Sequence, residues 1–312
     1  MKRLRFLLNT LAALAILLIA NTLVHAQSDR TWVSGVGNDA DPCSRTAPCK
    51  TFAGAYAKTN AGGEIDVLDR GGFGQVTISK AITIEGGDLS GGILAGGGNG
   101  IVVNVSGNTV VTIRNVAIIG VVGPNGAPPL NGIRLIQAGK LHVEHCEIYN
   151  FTQRGIDVAP TGAASVYVKD SFIHDNVGAG IGMTPGAGGS VKGHLDNVRS
   201  ENNQNGFVEQ DKTKVSIRNS VAAGNASNGF LAIGSAAGGP DMLVESCITT
   251  NNGSNGVRVQ GNANAKIRIS NVTITDNPTG ISIAAGNVIS SENNSIQGNT
   301  VDGAPSMMVM QQ

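Results

Sequence analysis

Aromatic residues fill only 4% of the 312 positions and charged residues 14%. So few rings leave few flat platforms for stacking a ligand, with Tyr149, Phe151, Tyr167 and Phe172 as the candidates. Long stretches of helical periodicity are missing, which turns the reading away from an all-helical fold. Past residue 26 no run is long and apolar enough to span a bilayer, so no membrane span is expected once that segment is removed. Lys and Arg total 22 against 22 acidic residues, and no basic run stands out. This balance argues against nucleic acid or an anionic membrane surface as the partner. What the chain has in excess is glycine, 44 of 312, about twice the usual ~7%. Many short turns joining short strands produce such a composition.

The first 26 residues form a separate object. Lys2, Arg3 and Arg5 precede a largely apolar run from Phe6 to Val24, and Val24-His25-Ala26 places small residues where a signal peptidase cuts. The expectation is a signal peptide over residues 1–26, a mature chain starting at Gln27, and a secreted, extracellular or periplasmic protein, against the alternative of a single membrane anchor, since the apolar run approaches spanning length. The mature chain carries 19 basic and 22 acidic residues, a net charge of −3. Cys43 and Cys49 lie close together, and in an exported protein a local disulfide is the favoured reading, two free thiols the alternative. No further ligands stand nearby for zinc.

Eight times between residues 100 and 280 a glycine opens a strand-like run: Gly100, Gly132, Gly155, Gly180, Gly206, Gly229, Gly256 and Gly280, spaced 23 to 32 residues apart. Asn precedes five of them, and an apolar residue follows every one. Self-similarity at this period is the mark of a repeat architecture. One and three residues after each glycine the chain is apolar, as in Ile133/Leu135 and Ile156/Val158, except at Glu209. Such alternation puts these positions on one face of a strand. Glu209 is then either an acid turned outward by a bulge or a buried acid in need of a partner.

Counting back from the glycines gives further columns. Nine residues before come Cys146, Ser171, Asn197, Ser220, Cys247, Asn271 and Asn294; four before come Phe151, Asn176, Asn202, Asn225, Asn252, Asp276 and Asn299. Stacked asparagines at a turn can bond amide to amide between rungs. Two dozen residues with short strands and no helix suit a parallel β-helix, each strand pairing with its copy one rung away at ~4.8 Å. Cys146 and Cys247 share a column four rungs apart, so they should remain unbonded. Lys50 to Thr59 is the one convincing helix and reads as a cap over the first rung. The expected organisation is an N-terminal segment and capping helix over 27–62, a parallel β-helix over 63–304, and a tail over 305–312 that covers the final rung.

These Asn-Gly-apolar-x-apolar turns and the Asn column, with Cys49-Lys50-Thr51-Phe52 and Gly62-Gly63-Glu64-Ile65-Asp66-Val67 at the start, resemble the right-handed parallel β-helix proteins of the pectin-lyase-like superfamily. The resemblance covers nearly all of 31–304 and implies an all-β, right-handed solenoid. That superfamily includes polysaccharide lyases, glycoside hydrolases, epimerases, tailspikes and surface proteins, so fold alone does not fix function. In its polysaccharide-active members the strand after the Asn-Gly turn lines the carbohydrate groove. The resemblance therefore implies a groove column of Val102, Arg134, Asp157, Gly182, Val208, Leu231, Arg258 and Ser282, flanked by Arg154, Gln210 and Gln260.

A hydrolase usually places two carboxylates about 5 to 10 Å apart across the bond, and this column offers one, Asp157. The polygalacturonase-like segments are not met either, since Gly193-His194 falls on another strand and Gln260 stands where Lys is required. A lyase needs less: a base, in this superfamily often Arg or Lys, and neutralisation of a uronate, often by Ca2+. Arg134 and Asp157, in adjacent rungs, are the candidate catalytic pair, against the plainer reading of a cross-strand ion pair. Asp170 and Asp196, expected to stack one rung apart beside His145, are the candidate metal ligands, against a plainer role as turn residues. Ca2+ is the one cofactor left open. The favoured function is a secreted monomer that presents an extended surface, with Arg154, Arg258, Gln210 and Gln260 contacting a polysaccharide or cell-surface glycan. The alternative is a polysaccharide lyase acting on an acidic polymer.

Overall fold

The computed structural model describes residues 28–88, 91–137, 139–235 and 238–310. The expected signal peptide, residues 1–26, lies outside the described residues. Strands coil into about nine turns of a parallel solenoid. One wall is a nine-stranded sheet built from Val76–Ile78 and the eight strands at the repeat glycines, through Ile133–Leu135 and Ile156–Val158 to Thr279–Ile283. The other strands join in a wide 20-stranded sheet that wraps the remaining sides. Every strand pair is parallel, each strand lying on its copy one rung away. Inward positions alternate with outward ones, so stacks such as Ile101, Ile133, Ile156, Ile181, Phe207, Phe230, Val257 and Ile281 fill a single continuous core. Phe207 and Phe230 stack ring on ring at 5.1 Å.

The helix runs over Phe52–Lys58, capped by Thr51, whose hydroxyl accepts from Gly54 N at 2.9 Å. Phe52 is fully buried and meets Phe73 edge-on, so the helix closes the end of the core. A disulfide joins Cys43 to Cys49 just before it. Cys146 and Cys247 are free and buried, and burial pushes both thiols up, Cys146 to about 12 and Cys247 to about 11. The sheet starts before residue 63: Ser28–Val33 pairs with Thr59–Val67, giving the helical segment its own strand in the first rung. The tail also joins the solenoid. Met307–Val309 pairs with Asn287–Ser291 as an edge strand, and its side chains stay exposed rather than covering the last rung.

The turn columns differ from a constant count back from glycine. The continuous asparagine ladder is Asn176, Asn203, Asn225, Asn252, Asn277 and Asn299, with Phe151 at its start. In the rungs of Gly206 and Gly280 the ladder residue stands three, not four, positions before the glycine. Asn202 and Asp276 fall one place earlier, with φ of 54° and 55°, a conformation that Asn and Asp adopt more readily than most residues. Asn197 and Asn271 are likewise left-handed turn residues, and Val198 and Val272 take the inward places assigned to them.

Candidate functional site

Register places Thr77, Val102, Arg134, Asp157, Gly182, Val208, Leu231, Arg258 and Ser282 in one column on the outer face of the nine-stranded sheet. This is the groove column expected from the sequence. Its charge is confined to two places. At the first, Asp157 lies one rung above Arg134 and its carboxylate is largely withdrawn from solvent. Arg154 Nη1 donates to Asp157 Oδ1 at 2.6 Å and to Thr184 Oγ1 at 2.9 Å. Arg134 Nε approaches Asp157 Oδ2 at 3.3 Å as an ion pair, yet that buried Nε makes no hydrogen bond.

The backbone around Arg154 explains its reach. It stands where five other rungs carry Asn before the glycine, as at Asn131 in the rung below. Asn131 is fully buried and fixes the turn: its Oδ1 accepts from Arg154 N at 3.1 Å, and its Nδ2 donates to Asn99 and Gln153. The Arg154 side chain then crosses the face of Gly182, where a Cβ would meet its Nε at 2.7 Å. A side chain at that position would displace the guanidinium.

Two open clefts meet at Arg134 and Ala159. One, of about 410 Å3, is lined by Asn131, Gln153, Arg154, Asp157 and Thr184. The other, of about 490 Å3, is lined by Asn99, Val102, Asn104, Gln137 and Thr161. Two guanidinium groups around one carboxylate leave a local excess of one positive charge in a trough of amides and hydroxyls. Such an arrangement suits an anionic or polyhydroxylated ligand and repels a divalent cation. Asp157 therefore does not fit Ca2+.

The other expected residues fall elsewhere. Arg258 Nε donates to Gln260 Oε1 at 2.8 Å, but this pair stands four rungs from Asp157, about 19 Å at the usual strand spacing. Between them Ala179, Val208 and Leu231 form an apolar cluster with Ile233. Gln210 precedes Gln260 by two rungs in a flanking column. Asp170 and Asp196 do not stack. Asp170 is a left-handed turn residue in a column with His145 and Asn197, whereas Asp196 is a strand residue between Lys169 and Arg218. Amides cap both: Asn197 donates to Asp170 and Asn219 to Asp196. The Asn197 bond, with the Lys169 and His145 charges behind it, holds Asp170 below the usual carboxylate range. Among the described residues no group of three or more His, Cys, Asp or Glu side chains could hold a metal. Thr184 was not anticipated from sequence; the signal for it was the groove-facing Gly182, a gap that a long neighbouring side chain can cross.

The pattern of the right handed beta helix region family matches residues 75–239, more than half of the chain. The chain belongs to that family. No curated protein matches this β-helix chain significantly by sequence. Among solved structures it is similar to the pectate lyase Pel9A, with 18% identity over 87% of this chain and 79% of that one and a TM-score of 0.59. It is also similar to the A-module of the mannuronan C-5 epimerase AlgE6 of Azotobacter vinelandii, with 18% identity, 80% and 71% coverage and a TM-score of 0.61. A third likeness is to the enzymatically active domain of tailspike protein 2 of bacteriophage CBA120, with 12% identity, 93% and 46% coverage and a TM-score of 0.58. At such identities the likeness establishes the fold, a pectate-lyase-like solenoid.

Proposed function

We propose that this β-helix binds a polysaccharide along the groove of its nine-stranded sheet, without turning it over, and that the protein is exported. The observation that carries this reading is the Arg134–Asp157–Arg154 cluster, which sets two cations and one carboxylate at the junction of two clefts. Similar solenoids include a pectate lyase and a mannuronan epimerase, which supports a glycan as the ligand class. The exposed head of Arg134 is suited to an acidic sugar, because a charged hydrogen bond to carboxylate outweighs a neutral one. Hydrolysis lacks its second carboxylate in this column. Arg154 is engaged by both Asp157 and Thr184, which makes it a positioning group rather than a base.

The test is a panel of acidic and neutral polysaccharides, followed by calorimetry and by the ultraviolet absorbance of unsaturated products. Binding without product is expected, and Arg134→Ala should weaken it roughly ten- to hundredfold, the range for losing one charged hydrogen bond. Unsaturated product that vanishes in Arg134→Ala or Asp157→Ala would replace this reading with a lyase. Unaltered affinity in both variants would remove the site.

A further inference from the structure

Asn followed by Gly occurs seven times, at Asn99, Asn125, Asn131, Asn205, Asn228, Asn252 and Asn255. Glycine has no Cβ, so its backbone nitrogen closes on the preceding side-chain amide with less hindrance than that of any other residue. The fold divides the seven. Six belong to amide ladders: Asn131 Nδ2 donates to Asn99 Oδ1 at 2.9 Å, Asn228 Nδ2 to Asn205 Oδ1 at 2.8 Å and Asn255 Nδ2 to Asn228 Oδ1 at 2.7 Å. Asn252 is bonded to Asn277 and Asn225. Their glycines are equally confined, since a Cβ built on any of the six would meet another atom at 2.7 Å or less. Asn125 differs on every count. It and Gly126 are exposed, in the segment between Val116–Val121 and Ile133–Leu135. Asn125 has φ 57° and ψ 25°, its amide bonds to no described residue, and a Cβ on Gly126 would meet nothing within 4 Å. Gly126 N donates to Gly123 O at 3.2 Å, at the long limit for such a bond.

We infer that Asn125 is a site of spontaneous deamidation, and that folding protects the other six Asn-Gly pairs. The co-reactant is water. The Gly126 nitrogen attacks Asn125 Cγ, the Cγ–Nδ2 bond breaks, and ammonia departs with the proton that the Gly126 nitrogen gives up. Water then opens the cyclic imide. Addition at Cγ leaves aspartate; addition at the main-chain carbonyl leaves isoaspartate, with the chain continuing through the side chain. The Asn125 ψ must rotate to bring the nitrogen to Cγ, and an exposed turn held by single backbone bonds opens at far lower cost than a packed one. At Asn131 the same motion breaks the bonds to Asn99 and Gln153, and it has no space because Gly132 is packed against Ile148 and Gly155. Between Val116 and Ile133 the sequence holds no charged residue. Each event therefore gives this stretch its first charge, a negative one, on the approach to Arg134. The inference goes beyond the groove reading and does not depend on any ligand.

Peptide mapping of the folded chain after incubation at mildly alkaline pH tests it. Trypsin cuts after Arg114 and Arg134, so one peptide, residues 115–134, carries both Asn125 and Asn131. Rapid digestion at mildly acidic pH keeps the freed peptide from reacting. Fragment masses should place the amide-to-acid gain on Asn125, at least roughly tenfold faster than on Asn131, which reacts only through local opening. The gain should quicken as pH rises, because the attacking nitrogen must lose its proton. In the urea-unfolded chain the two positions should react at comparable rates. Asn125→Gln should remove the acidic species that accumulates on anion exchange. Equal gain at both positions in the folded protein would overturn the inference, as would a silent Asn125. An Asn131 that stays silent in urea would assign its protection to local sequence and overturn the role of folding. An acidic species that still accumulates in Asn125→Gln would overturn the assignment of the site.

Discussion

At the scale of single residues, Glu209 is the most consequential. It stands in an inward column between Met183 and Ala232 and is 2% exposed. Burial among Ile181, Phe207, Val215 and Ile217 pushes its carboxyl up to about 8. Thr213 Oγ1 lies 2.7 Å from the Gln210 carbonyl and 3.0 Å from Glu209 Oε2. One hydroxyl has one proton and cannot donate to both, so a protonated Glu209 that donates to Thr213 satisfies the pair. In the folded state the acid holds its proton to higher pH than in the unfolded chain. Its contribution to stability is therefore complete below the ordinary carboxylate range near 4.5 and is lost as pH rises through about 8. The loss amounts to several kcal/mol, at roughly 1.4 kcal/mol per pH unit. Glu209→Gln should flatten this slope, leaving the variant more stable than the parent at pH 9. Denaturant midpoints at pH 5 and pH 9 check it, and an identical slope in the two proteins would exclude Glu209 as its source. The sequence showed the anomaly, a lone acid in an apolar column, but left open whether the side chain points in or out. Closure of the solenoid around it decided that.

At the scale of elements, the turns are held by amides as much as the strands are by their ladders. Asn252 Nδ2 shares its two protons among Ala222 O, Thr249 Oγ1 and Asn277 Oδ1, while its Oδ1 accepts from Asn225 N and Nδ2. Asn252→Ala removes all of these and leaves Asn225 N without its acceptor, while Asn225 Nδ2 keeps Ser200 O. The expected cost is about 1–3 kcal/mol, read as a lower unfolding midpoint, with polysaccharide affinity unchanged because the ladder does not face the groove. A midpoint within error of the parent would show that water replaces the ladder. The existence of this ladder was legible from recurring Asn, but two of its members were not. Asn203 and Asn277 replace Asn202 and Asp276 because the stretch leading to the glycine is one residue shorter there, and only backbone geometry reports which of two adjacent polar residues turns inward. The same one-residue slip separates Asp196 from Asp170.

At the scale of the whole molecule, the candidate groove runs along the solenoid axis on the nine-stranded wall, and the wide sheet forms the other sides. Among the described residues no helix is long and apolar enough to cross a membrane. Exported material should have an intact native mass of a monomer lacking residues 1–26; a subunit mass that includes Met1 would refute cleavage, and a dimer mass the monomeric state. The architecture was set by the sequence itself. Glycine-led repeats, inward apolar alternation and polar turns permit one economical solution, because each rung buries its apolar face only by stacking on its neighbours. That stacking converts a repeat offset into a column, which is why the order Val102, Arg134, Asp157, Gly182 is legible in the sequence. Tertiary structure alone decided which flanking side chains lean into a column and which charges remain uncompensated there. Arg154 reaches Asp157 across Gly182, and Lys192 comes to face Lys214 although 22 residues separate them in a chain without a basic run. Composition averages charge along the chain, whereas a solenoid sums it down each column at the spacing of a rung.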